Sequence, residues 1–114
     1  FVLLQNCTAQ TFHKKGVRRL AKCFGLRIMS TVRTFGVVNS FHLKKNAFNR
    51  WGNARTADVV SGAGVYLLAR YAKRHPKEFV EFMFDPLGWF IDNGRIIKGW
   101  IGGHYDHAHI VLRK

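Results

Sequence analysis

Acidic residues are scarce in this chain. Six Asp and Glu stand against 19 Lys and Arg, giving a formal net charge of +13 and a pI near 10.6. So one-sided a balance points to an anionic partner, either a nucleic acid or an acidic polymer surface. Only 2 prolines are present, and no low-complexity tract, internal repeat or interdomain linker can be read. No apolar run approaches the roughly 18 residues that a membrane span needs; Phe1-Val2-Leu3-Leu4 is far too short. Two cysteines are too few for a disulfide framework, and neither has a Cys-x-x-Cys neighbour, which excludes thiolate zinc and thioredoxin-like chemistry. Cys7 and Cys23 can form one disulfide; equally, Cys23 occupies an apolar helix position suited to a buried thiol. A basic n-region, apolar core and small-residue cleavage site are not seen at the start, and Phe1 in place of Met reads as a processed, designed or excised chain.

Apolar material is plentiful. A hydrophobic fraction of 47%, with 10 Phe, 3 Trp and 3 Tyr, is too rich for a disordered basic tail. At 114 residues the expectation is one compact domain spanning 1–114.

Periodicity places the elements. Val17, Leu20, Ala21 and Phe24 recur at helical spacing and predict a helix from Thr11 to Phe24, capped by Thr11 and ended by Gly25 at C′. Lys14, Lys15, Arg18, Arg19 and Lys22 then face solvent. Leu26 to Arg33 alternates apolar and polar and predicts a half-buried strand. Residues 34 to 56 lack periodicity, and a loop of that length in a compact domain is usually functional. Thr56 to Val60 predicts a short strand. A helix over Gly62 to Arg74 follows, with Val65, Leu68, Ala69 and Ala72 inward, ended by His75-Pro76. Phe79 to Phe84, broken only by Glu81, predicts another strand. Trp89-Phe90-Ile91 and Arg95-Ile96-Ile97 flank an Asn93-Gly94 hairpin turn. Gly99 to Gly103 leads into a last strand, His107 to Leu112. The fold class is α+β, two main helices on a largely antiparallel sheet.

Histidines carry the chemistry. On a strand, side chains two apart share a face, so His107 and His109 project together while Ala108 points away. Two such imidazoles can share a metal, or one can bind it while the other moves protons. Asp58, following a polar loop, is a candidate third ligand. His13 and His75 read as surface or satisfied core residues, and His104 as a loop residue or a substrate contact. Trp51, Trp89 and Trp100 read as core or hairpin cover rather than as a sugar-stacking platform, and Tyr105 as a residue able to line a cleft.

Gly25 to Arg33, with its Ser-x-x-Arg ending, together with Asn39-Ser40-Phe41-His42, Ala57-Asp58-Val59-Val60 and Gly102-Gly103-His104-Tyr105-Asp106-His107-Ala108-His109-Ile110, resembles the zinc metallopeptidases of the lysostaphin, D-Ala-D-Ala peptidase and hedgehog group. The likeness runs over about residues 12 to 113, and its C-terminal motif is close to domains of phage tail and lysis proteins. One departure is plain: Asp58 follows His42 by 16 positions, where members of the group usually have about seven, and an insertion of about nine residues within Leu43 to Arg55 would explain it.

The resemblance implies a hedgehog/D-Ala-D-Ala-peptidase-like fold with Zn²⁺ held by His42, Asp58 and His109, leaving one tetrahedral position open. It makes His107 or Asp106 the general base. On a regular strand Asp106 faces away from His109, which favours His107, with Asp106 as the other candidate or as a partner fixing an imidazole. Arg33 matches an arginine that polarises a substrate carbonyl or carboxylate, and Ser40 a residue of the turn presenting His42. The implied activity is hydrolysis of peptide bonds in bacterial peptidoglycan, by a monomer acting outside the cell, in the periplasm or on a virion. The positive charge suits anionic wall polymers. It suits nucleic acid equally, so a nucleic-acid-binding protein or small metal-dependent nuclease is the competing reading. An inactive wall-binding relative is a third.

Overall fold

The structure is a computed structural model and describes residues 7, 12, 14–30, 54–60 and 62–113. Among them run α1 (Val17–Cys23), β1 (Ile28–Ser30), β2 (Thr56–Val60), α2 (Ala63–Arg74), β3 (Phe79–Met83), β4 (Trp89–Asp92), β5 (Arg95–Lys98) and β6 (His107–Leu112). The six strands form one sheet in the order β1-β2-β6-β3-β4-β5, and every pairing is antiparallel. The expected α+β class, with helices on an antiparallel sheet, is what the described residues form.

The first helix departs from the expectation of one piece from Thr11. Phe12, Lys14 and Lys15 are helical, but Gly16 takes φ 83° and interrupts the run. The break frees the Val17 amide to donate to the carbonyl of Ala54 at 2.8 Å, tying α1 to the approach of β2. At the other end Gly25, at φ 65°, closes the helix as anticipated. The Leu26 amide reaches the Ala21 carbonyl at 2.8 Å and the Gly25 amide that of Lys22 at 3.3 Å, the Schellman pattern that satisfies the last carbonyls. Cys7 and Cys23 are joined in a disulfide across 16 residues.

One sheet face is the core. Ala57, Val59, Phe82, Ile91, Ala108 and Ile110 are buried against Val17, Leu20, Val65, Leu68 and Ala72 of the two helices. Arg55 is buried and ties the stretch before α1 to the end of β6: its guanidinium donates to the Phe12 carbonyl at 3.0 Å and to the carbonyl of Arg113. Alternation along the strands therefore sends Asp58, His107 and His109 to the opposite face. A register irregularity between Phe79 and Glu81 turns β3 so that Phe82 joins the core and Glu81 joins the histidines.

Candidate metal and histidine site

Strand register assembles the site. Asp58 of β2 is directly opposite His109 of β6, and Met83 of β3 is opposite His109 on its other side. Directly opposite residues on one face hold their Cβ atoms about 5 Å apart, and diagonal neighbours remain within reach of long side chains. The His109 ring exploits both. Its Nδ1 is 3.1 Å from Asp58 Oδ1, and its Nε2 is 2.8 Å from Glu81 Oε1, reached diagonally across β3.

Carboxylate oxygens only accept hydrogen bonds, so in this state both ring nitrogens donate and His109 is an imidazolium. Burial works against that charge, since 12% of the side chain is exposed. The two carboxylate bonds outweigh burial and hold its pKa up at about 9. Glu81 was not anticipated as a site residue. Its one signal in the sequence is being the lone acid in an apolar run.

His107, two residues back on the same face, bonds through Nδ1 to Asp106 Oδ1 at 2.8 Å. Asp106 precedes β6 in a bend, which frees it from the alternation that would have turned it away. The imidazole of His107 and its own backbone amide hold the Asp106 carboxyl below the usual range. With Nδ1 donating to a carboxylate, the lone pair of neutral His107 is on Nε2. His104 completes the cluster: its ring centroid is 5.2 Å from that of His107 and 5.9 Å from that of His109.

The scarce acids gather here. Of the 6 in the chain, Asp58 and Glu81 hold His109, Asp106 holds His107, and Asp85 accepts the backbone amide of His104. Four of the six thus serve three histidines, although cations outnumber acids threefold.

The expected ligands Asp58 and His109 are brought together. His42, Arg33, Ser40, His13 and Trp51 lie outside the described residues, so the third expected ligand and the substrate arginine are not placed. Among the described residues, no three His, Cys, Asp or Glu form a group able to hold a metal ion. His75, expected either at the surface or satisfied in the core, is exposed. Trp89 packs against the core, as expected of hairpin cover. Trp100 does not: it is 65% exposed, beside Ile101 and Tyr105 at 51% and 63%, because the glycine-rich turn carries it off the end of β5. No described helix is long and apolar enough to cross a membrane. No family model, curated protein or solved structure matches the chain.

Proposed function

We propose that this protein is a zinc-dependent hydrolase that cleaves peptide bonds of bacterial peptidoglycan, with a fold of the hedgehog/D-Ala-D-Ala-peptidase type. The observation that carries the reading is the convergence of Asp58 on His109 despite the long spacing from His42.

The donor pair suits the metal. Two ligand atoms each about 2.05 Å from a tetrahedral ion are about 3.3 Å apart, and Asp58 Oδ1 and His109 Nδ1 are 3.1 Å apart. Glu81 on Nε2 supplies the outer carboxylate that zinc-binding imidazoles usually have, aiming Nδ1 at the ligand position. Asp58 and His109 would hold Zn²⁺ together with His42. When bound, the ion supplies Lewis acidity, making a water acidic near neutral pH and polarising the scissile carbonyl.

The protein's own groups handle the protons. Nε2 of His107 takes a proton from the attacking water and returns it to the leaving amine, while Asp106 fixes the tautomer that leaves Nε2 free to do so. Asp106 is 89% exposed, better suited to orienting His107 than to acting as a desolvated base. Arg33 is assigned to the substrate carbonyl or carboxylate. The disulfide agrees with an oxidising location, extracellular, periplasmic or on a virion, where a monomer of high positive charge is drawn to anionic wall polymers.

Purified protein should carry about one zinc per chain, lost in His109→Ala, and should release new free amines from purified peptidoglycan. His107→Ala should keep the zinc and lose the amines. Absence of any zinc binding defeats the reading. Zinc without amine release identifies an inactive wall-binding protein, and nucleotide release from nucleic acid identifies a nuclease.

A further inference from the structure

Asp85 is buried, 6% exposed, and its partners are all backbone. Its Oδ1 accepts the amides of Ile101 at 3.2 Å and Gly102 at 3.3 Å. Its Oδ2 accepts the amide of His104 at 3.0 Å. In return its own amide donates to the His104 carbonyl at 2.9 Å. His104 is thus gripped at both its N–H and its C=O by one residue. These bonds hold the carboxyl of Asp85 below the usual range even though burial opposes the charge.

A buried carboxylate is costly unless its hydrogen bonds are made. Here they order a segment whose large apolar side chains stay out of the core. Trp100, Ile101 and Tyr105 remain 65%, 51% and 63% exposed, and Gly99, Gly102 and Gly103 all take positive φ. What the clamp does fix is the position of the His104 ring beside those of His107 and His109.

The ring itself is also set. Nδ1 of His104 lies 2.8 Å from the Gly102 carbonyl. A carbonyl only accepts, so Nδ1 carries the proton and neutral His104 presents Nε2 as an acceptor. Among the described residues nothing bonds that nitrogen.

We propose that His104 is a substrate-contacting residue whose Nε2 accepts a backbone N–H of the bound peptide, and that Asp85 is the positioning residue that holds it there. The ligand's identity rests on the peptidase reading above; the clamp and the tautomer do not.

Nitrogen-detected NMR of the zinc-free full chain, at a pH high enough to leave imidazoles neutral, should show the His104 proton on Nδ1, with Asp85→Asn mixing the two tautomers. Calorimetric titration of the zinc-free protein with a cross-linked muropeptide dimer should give Kd values about threefold to tenfold weaker for His104→Ala and for Asp85→Asn, the usual worth of one neutral hydrogen bond. In the zinc-loaded enzyme the loss should fall on KM with kcat kept. The double variant should be no weaker than His104→Ala, because both changes remove one contact. Should Asp85→Asn not fold, His104→Ala decides the matter alone, since it keeps the backbone bonds to Asp85 and removes only a half-buried loop side chain. A wild type that binds and cuts the dimer while His104→Ala matches it in Kd and KM overturns this proposal and leaves the peptidase reading standing. A wild type that neither binds nor cuts it overturns both.

Discussion

Raising the pH should unfold the zinc-free protein more easily, and His109 sets the size of the effect. In the folded chain its ring donates to Asp58 at 3.1 Å and to Glu81 at 2.8 Å, and its pKa is held at about 9 against an ordinary 6.5. The unfolded chain has neither carboxylate in place. A difference of about 2.5 pH units, at 1.36 kcal/mol each, is worth about 3 kcal/mol. Because the folded value is the higher one, this stabilisation is complete below pH 6.5. It is lost as pH rises through 9, when one ring nitrogen must turn a lone pair toward a carboxylate. Urea unfolding with a chelator present, at pH 6.5, 8 and 9.5, should show the midpoint falling across that window, and His109→Gln should remove most of the fall. A wild-type midpoint that is flat or rises across it, or a fall that His109→Gln reproduces in full, would refute the assignment of an imidazolium between two carboxylates. The same proton must leave before a metal can bind, so zinc affinity should increase by up to tenfold per pH unit below about 9.

Three further outcomes follow from the geometry. Glu81→Gln keeps an acceptor for Nε2 but loses its charge, and should weaken zinc about tenfold to a hundredfold in a chelator competition; an unchanged Kd would show that Glu81 does not act on the ligand. Reducing the Cys7–Cys23 bond, which closes 16 residues, should cost about 3 kcal/mol of stability by loop-closure entropy, read as a shift in denaturant midpoint with and without dithiothreitol. Gly64→Ala improves helix propensity yet should lose about 1 to 2 kcal/mol. The added Cβ would sit 2.3 Å from the Phe24 carbonyl oxygen and 2.8 Å from Leu26 Cδ2, and a more stable variant in thermal melts would show that α2 and the end of α1 separate without cost.

The sequence was most legible where one local rule decided the outcome. β2 and β6 have the predicted bounds, since alternation and flanking polar residues mark both. The four inward residues of α2 are those its period assigned. The Asn93-Gly94 turn has both residues at positive φ, as the dipeptide demands. Legibility failed where two rules competed. The predicted helix, drawn from Thr11, ran through Gly16, but a tertiary bond from Val17 to Ala54 made a break there worth its local cost. Glu81 stayed hidden because Phe79 and Phe82, both buried, are an odd number of positions apart. Only a register irregularity reconciles them, and period-two reading cannot foresee which face Glu81 then takes. The pairing of His107 and His109 was readable from spacing alone. The partnership of Asp58 with His109 needed the strand pairing, which no local pattern contains.

That pairing has a consequence for how the chain tells its right fold from near misses. Sliding β6 by one residue against β2 would trade Ala108 for His109, forcing two imidazoles into the helix-covered layer and leaving Asp58 and Glu81 facing a methyl group. Neighbouring registers are thus penalised twice, by buried polar rings and by two carboxylates stripped of their cation. Any ion that needs Asp58 and His109 together would bind the correct alignment alone and draw the population toward it. If the site holds such an ion, it is also a gauge of sheet alignment, because a chain slipped by one residue would report itself by failing to bind.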